Sequence, residues 1–143
     1  MLLNLLLWII RNKKPLLIDE DYMERWFIIP RNRFFNIYFH RFFGSDAPTP
    51  HDHPWMSLGV ILEGTYVEHT PKGDFVRKEG QWVLRYPSSL HWVEIDKPVY
   101  TLFITGPKVR RWGFQCKDKW VDYIEYIDRR GSNRLASGCG ENE

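Results

Sequence analysis

Apolar and polar residues alternate in short runs along most of the chain, and turn-forming residues separate the runs. The run from Asn36 to Phe43 is aromatic or β-branched except for Asn36, His40 and Arg41, a composition typical of a β-strand. Roughly eight such segments occur, with turns about every ten residues and no long amphipathic helix between them. The pattern predicts an all-β protein built as a jelly-roll barrel.

Strand alternation also predicts which side chains share a face. Within 36–43 it sets His40 and Arg41 on opposite faces, so one of them points into the barrel. That residue is either a hydrogen-bonded core residue or a ligand contact. The remaining predicted strands are 25–29, the run after His53 that ends at Gly64, 66–69, 75–79, 82–85, 92–95 and 100–105, and the stretch 120–127 is predicted to pair at an edge.

The chain begins with an apolar run, Met1 to Ile10, that contains one polar residue, Asn4. Ten residues are too few to span a bilayer, so we predict a short helix that ends before Pro15 and is covered by the barrel or by a second subunit. Attachment to a membrane surface is the alternative. The predicted organisation is an N-terminal helix and connection (1–24), a barrel (25–130) and a mobile polar tail (131–143).

Composition narrows the function classes. A chain of 143 residues, 43% hydrophobic and 16% aromatic, is long enough for one domain with a real core. The net charge of +2 is too small to indicate nucleic-acid binding. Cys116 and Cys139 are far apart in the sequence and the second lies in the polar tail, so we expect free thiols and a cytoplasmic location, although one disulfide stays open. Separately, we expect a homodimer.

Candidate chemistry concentrates in His51-Asp52-His53-Pro54-Trp55 and at His91. Residues two apart in a strand share a face, so His51 and His53 can bind one ion, and the prolines around them exclude a helix. Asp52 faces the other way and braces the loop or meets solvent. His51, His53 and His91 are the predicted metal ligands.

These residues resemble the two sequence motifs of the cupin family. His51-x-His53 with Gly64 fits the first motif, with Ser57 at the position of the family's glutamate. Gly80 to His91 fits the second in spacing, with Tyr86 at its proline, Ser88 at its glycine and Ile95 at its asparagine. The resemblance covers about 36–105 and implies the cupin double-stranded β-helix, a jelly-roll barrel, with a short N-terminal helix.

A closer resemblance adds little about the reaction. The chain is similar to small cupin-domain proteins, many of them in phages, at Arg25-Trp26, at the His-Asp-His-Pro-Trp block and at 104–108 and 111–114. The reaction of those proteins is not established. The ligand set resembles the three-histidine iron site of cysteine dioxygenase. It implies a divalent transition metal, first of all Fe(II), with zinc, nickel and copper as alternatives.

Three functions stay open at this point. The first is a metal-dependent, iron-type dioxygenase acting on a small polar or anionic molecule inside the barrel, the second a sugar-epimerase or isomerase, and the third a non-catalytic binding module. Two residues, Arg85 and Tyr66, are the candidate catalytic residues. The candidate substrate-binding residues are Arg41, Trp55, Ser57 and Glu68.

Overall fold

The fold was established from a computed structural model that describes residues 1–19 and 22–140. It contains two short helices, α1 (Leu2–Ile10) and α2 (Tyr123–Arg130). The strands are β1 (Leu16–Ile18), β2 (Met23–Phe27), β3 (Asn36–Phe42), β4 (Ser57–Glu63), β5 (Tyr66–Thr70), β6 (Gly73–Arg77), β7 (Trp82–Arg85), β8 (Trp92–Glu94), β9 (Val99–Thr105), β10 (Gly113–Gln115) and β11 (Trp120–Asp122).

The strands form antiparallel sheets, as the alternation predicted. A six-stranded sheet has the order β1-β2-β3-β9-β4-β7, and a three-stranded sheet has the order β6-β5-β8. Strand β9 pairs with both β3 and β4, so strands far apart in the sequence lie side by side. Strands β10 and β11 form a hairpin of their own. The all-β jelly-roll prediction is confirmed.

Two details differ from the predicted organisation. Leu16–Ile18 lies in the predicted connection, yet it is strand β1 and pairs with β2 in the register Leu16 opposite Arg25. Strand β2 also begins two residues before the predicted boundary, at Met23. The barrel therefore starts within the segment that composition had assigned to a linker.

Helix α1 packs against the outer face of the six-stranded sheet. Leu6 and Ile10 are buried there against Trp26 and Phe39. Leu3 and Ile9 are partly buried against the same cluster, whereas the opposite side of the helix is exposed, with Trp8 at 60%. One side of the apolar helix is thus covered by the barrel, as one of the two alternatives predicted. Among the described residues, no helix has the length and apolar content needed to cross a membrane.

The ambiguity in β3 is resolved in favour of His40. Its side chain is inward and 2% exposed, whereas Arg41 lies on the outer face and pairs with Glu24 of β2 at 3.4 Å. The pairing register places His40 opposite Arg25 and Arg41 opposite Glu24. Arg41 therefore lies outside the barrel interior.

The C-terminal part corrects two expectations. Only 120–122 of the predicted edge segment is a strand, and Asp122 then caps α2 by accepting a hydrogen bond from the amide of Ile124 at 3.0 Å. Cys116 and Cys139 form a disulfide, not free thiols.

The bond ties the tail to the residue that follows β10, and both cysteines lie in a small core with Val121 and Tyr126. Within 131–140, Gly138 and Cys139 are buried, whereas most of the other residues are exposed. The expectation of free thiols, on which the prediction of a reducing compartment rested, is therefore wrong. Residues 141–143 of the predicted mobile tail lie outside the described residues.

Candidate metal centre

Backbone pairing brings the histidines together. His51 and His91 form a β-bridge in which each amide donates to the other's carbonyl, at 2.9 and 3.1 Å. The amide of His53 donates to the carbonyl of Pro87 at 3.0 Å. Two chain segments forty residues apart are thereby fixed against each other. The main-chain hydrogen bonds therefore fix the backbone positions from which the three imidazoles project.

The three rings converge as metal ligands do. One ring nitrogen from each of His51, His53 and His91 lies within 4.8 Å of the others, and the Nε2 atoms of His53 and His91 are 3.2 Å apart. Ligand bonds of about 2.1 Å place adjacent nitrogens roughly 3.0 to 3.4 Å apart. The His53–His91 distance lies in this range, and the three-imidazole donor set is compatible with a divalent metal, since imidazole nitrogens are typical of iron, zinc, nickel and copper sites.

Asp52 braces the metal loop from behind. It is 3% exposed, and its carboxylate accepts from the amide of Gly113 at 2.8 Å and from the indole of Trp120 at 2.9 Å. Arg110 pairs with it at 2.7 Å. A Cβ at Gly113 would lie 2.2 Å from the carbonyl of Val121, so the hairpin admits only glycine there. Of the two alternatives for Asp52, the structure shows the bracing role.

A buried carboxylate holds His91. Oε2 of Glu68 lies 2.6 Å from Nδ1 of His91, which leaves Nε2 of the ring for the metal. The same oxygen accepts from Arg85 Nε at 2.6 Å, and Oε1 accepts from Arg77 at 2.7 and 3.0 Å. Burial alone would raise the pKa of Glu68, but the His91 hydrogen bond and the Arg85 charge hold that pKa well below its usual value. Such a carboxylate fixes the ring orientation of a metal-binding histidine.

Burial keeps the other two ligand imidazoles neutral. It lowers the pKa of His51 to about 4 and that of His53 well below its usual value, with the neighbouring histidines adding to the effect on His53. Metal ligation requires the neutral ring. The pKa of His40, away from the cluster, is lowered in the same way by burial and by Arg25.

His69 lies outside the cluster. It contacts Asp74 at 2.8 Å and Glu94 at 2.9 Å, and it stacks on Trp92. Hydrogen bonding to Glu94 raises the pKa of His69, partly opposed by burial and supported by Asp74. It is a surface residue of the three-stranded sheet.

A cavity of about 390 Å³ opens over the histidines, at the small end of the usual range for ligand sites. Of the predicted site residues, Trp55, Tyr66 and Arg85 line it together with the three histidines. The hydroxyl of Tyr66 accepts from Arg85 at 3.1 Å.

The other predicted site residues lie elsewhere. Glu68 lies behind His91 and lines a second cleft of about 330 Å³, which shares Arg85 and His91 with the main cavity. Ser57 is 2% exposed, at the start of β4 beside Arg85 and Thr105, and its hydroxyl has no partner among the described residues. Arg41 has no place in the cavity wall.

Several cavity residues escaped the sequence analysis. They are Tyr22, Met23, Arg25, Asp46 and Trp112, with His40 left undecided. A signal was available for Arg25, because a charged residue in an otherwise apolar strand must face either solvent or a polar site. The face could not be determined without the register of β2 on β3.

Sequence comparison finds no matching protein-family model and no matching curated protein. The closer similarity to small phage proteins therefore has no support from sequence comparison. Solved structures do match.

The polyketide cyclase RemF from Streptomyces resistomycificus has a TM-score of 0.61 and 14% identity, covering 82% of this chain and 89% of that one. A cupin-superfamily sugar phosphate isomerase from Silicibacter pomeroyi has a TM-score of 0.57 and 14% identity, covering 70% and 69%. KdgF from Halomonas sp. has a TM-score of 0.55 and 14% identity, covering 65% and 87%.

At such identities these likenesses show the fold alone, and the fold is that of a cupin barrel. The named reactions of the neighbours differ from one another. They leave the reaction of this chain to be argued from its own residues.

Proposed function

We propose that the protein is a metal-dependent enzyme that acts on a small polar or anionic molecule inside the barrel. The observation that carries the proposal is the convergence of His51, His53 and His91 at a cavity, with Glu68 fixing the ring of His91 from behind. A merely structural histidine cluster would not need an open cavity in front of it. A catalytic metal site keeps positions open for water or substrate.

The chain supplies three neutral ligands and no carboxylate ligand, because Ser57 stands at the family's glutamate position. A divalent metal bound there would supply Lewis-acid or redox chemistry. Iron(II) is our first choice, with zinc, nickel and copper as alternatives. Around the metal, Trp55 shields one side by stacking on His53 at 5.6 Å, and Arg85 holds the Tyr66 hydroxyl at the cavity surface.

Our first reaction class is oxygenation. A site with three neutral ligands leaves several positions for a substrate that chelates the metal, as the likeness to the cysteine dioxygenase ligand set suggests. The contact between the Trp55 and Phe103 rings and the burial of His53 and His91 favour exclusion of bulk water from the cavity.

The second reaction class is proton transfer, as in an isomerase, and Tyr66 favours it. Its hydroxyl lines the cavity and accepts a hydrogen bond from Arg85, so it is held where it could exchange a proton with a bound molecule. Tyr66 is then the candidate acid or base, with the metal polarising the substrate. A non-catalytic binding module would need the same cavity but neither Tyr66 nor an open metal.

Elemental analysis of protein purified without an affinity tag tests the metal site. We expect one divalent transition metal per chain, lost in single alanine variants at His51, His53 or His91, with the barrel still folded by circular dichroism. Alanine at His69 is the matched control and should retain the metal. Full metal content in all three ligand variants would refute the site.

Two assays on reconstituted protein separate the reaction classes. Oxygen uptake with iron(II) and a panel of small acids supports oxygenation. Exchange of substrate hydrogens with deuterated water, lost in Tyr66→Phe, supports proton transfer. If the metal-bound protein shows neither activity, the remaining candidate function is a non-catalytic binding module.

A further inference from the structure

Five arginines of the strands and of the loop after β9 have an acidic partner. Arg77 and Arg85 pair with Glu68, Arg41 with Glu24, Arg110 with Asp52 and Arg111 with Asp122. Arg25 differs. Among the described residues, it forms no ion pair, although it lines the main cavity. Arg25 is half-buried, and a guanidinium partly removed from water without an anion is costly, so its retention calls for an explanation.

Within the described part of the chain, Arg25 makes one side-chain hydrogen bond, which leaves most of its donors without a partner there. Its Nε donates to Nε2 of His40 at 2.9 Å, and its guanidinium lies over the Tyr38 ring at 4.6 Å. The pairing register places it directly opposite His40. Arginine has five N–H donors, so one hydrogen bond to His40 orients the side chain without satisfying it. Burial lowers its pKa, with only tyrosines counteracting the effect, but an arginine remains charged.

The other charged groups of the cavity do not neutralise Arg25. Arg85 is compensated by Glu68. Asp46 is the remaining acid in the wall, and both of its oxygens have donors: Oδ1 accepts from the Tyr22 hydroxyl, and Oδ2 accepts from the amide of Val93 at 2.9 Å. Asp46 makes no ion pair with Arg25. Among the residues that the structure describes, the cavity therefore offers one uncompensated cation, Arg25.

An aromatic wall joins this cation to the histidine cluster. His53 contacts Trp55, Trp55 contacts Phe103, and Phe103 contacts His40, each with ring centroids 5.6 Å apart. Arg25 then bonds to His40. A ligand lying along this wall meets a metal-binding end, an apolar middle and a cationic end in that order.

We infer that Arg25 is the specificity residue that binds a carboxylate or phosphate group of the molecule entering the cavity. The guanidinium fork can bind either anion through two hydrogen bonds. The inference deepens the proposed function and rests on it, since it takes the cavity over the histidines as the substrate cavity. The expected substrate is a small anion with an apolar or planar portion, and its other end reaches the metal.

Calorimetric titration of protein freed of metal with a chelator tests the inference, because an anion then has no metal to bind. The probes are benzoate and phenyl phosphate, with benzamide as the neutral analogue of benzoate. We expect the wild type to bind at least one of the two anions more tightly than benzamide. The anion with the lower Kd identifies carboxylate or phosphate as the group that Arg25 binds. Arg25→Gln should bind the anions on the order of 10- to 100-fold more weakly. Arg41→Gln, a change on the outer face of the same strand pair, should bind like the wild type.

If the glutamine variant fails to fold, Arg25→Lys provides a second test of the same inference. Lysine retains the charge but not the fork, so we expect intermediate affinity with the preference for anions preserved. Equal binding of anions and benzamide by the wild type would overturn the inference, as would equal anion affinity in the Arg25 and Arg41 variants. If the protein never binds metal yet shows anion binding that depends on Arg25, the proposed metal chemistry fails and the anion site stands.

Discussion

Replacing Glu68 by glutamine tests whether a buried carboxylate holds His91 as a metal ligand. The carboxylate is 2% exposed and accepts four hydrogen bonds, at 2.6 Å from His91, 2.6 Å from Arg85, and 2.7 and 3.0 Å from Arg77. Glutamine has the same shape but one acceptor oxygen and no charge. It therefore leaves the two arginines without their anion and turns an NH₂ group towards one pair of donors.

The expected effects follow from this geometry. Removing one partner of a buried ion pair costs about 3–5 kcal/mol. For a chain of this length, that lowers the melting temperature by roughly 10 °C. Loss of the contact that orients a metal-binding histidine weakens metal affinity by about 10- to 100-fold. The variant should still fold at room temperature, because domains are typically stable by about 5–15 kcal/mol.

Glu24→Gln is the matched control. Glu24 also lies in a sheet and pairs with an arginine, at 3.4 Å, but it lies on the outer face and away from the histidines. We expect a loss of no more than about 1 kcal/mol and no change in metal affinity. Competition for zinc against a fluorescent chelator measures affinity, and thermal unfolding measures stability. Equal zinc affinity in folded Glu68→Gln and Glu24→Gln would refute the orienting role of Glu68.

Three further changes test other parts of the structure. Hydrogen bonds to Glu94 and Asp74 raise the pKa of His69, so the stabilisation from its charged ring is complete below a pH of about 6.5 and is lost as pH rises through the folded pKa. The difference in unfolding free energy between the wild type and His69→Gln should therefore shrink from pH 6 to 9. A difference that stays constant over this range would contradict the prediction. Cys139→Ser opens a disulfide with a sequence separation of 23 and should cost about 3 kcal/mol in unfolding free energy without reductant, whereas two alkylatable thiols in the native wild type would contradict the bond. If a second copy covers α1, Trp8→Glu should halve the mass measured by light scattering, and a monomeric wild type would exclude the homodimer.

The sequence was most informative where chemistry depends on neighbours along the chain. His51 and His53 could be paired from their spacing, and the second motif supplied His91. The strands were recognised from aromatic and β-branched runs, which bury apolar surface on a pleated sheet whatever their partners are. The opposite direction of Asp52 also followed from alternation, although its bonds to Gly113 and Trp120 did not.

The C-terminal helix was missed although its signals were present. Asp122 followed by Glu125 has the spacing of a capping box, and Gly131 lies just beyond the last turn. The aromatic and β-branched residues from Trp120 to Ile127 favoured a strand instead. The disulfide could not be predicted, because it depends on α2 folding back so that Cys139 meets β10.

Charges were the hardest features to place, and β2 and β3 show why. The register sets Glu24 opposite Arg41 and Arg25 opposite His40, so neighbouring positions on the same two strands give one arginine an acid outside the barrel and the other a neutral imidazole inside it. A slip of one residue would move every side chain of a strand to the other face. Alternation fixes only which residues share a face, not which face is inside. The structure gives no geometric support to the prediction that Arg41 binds substrate, because Arg41 lies on the outer face of the sheet. Arg25, which has no acidic partner among the described residues, could be placed in the cavity only once the strands were paired.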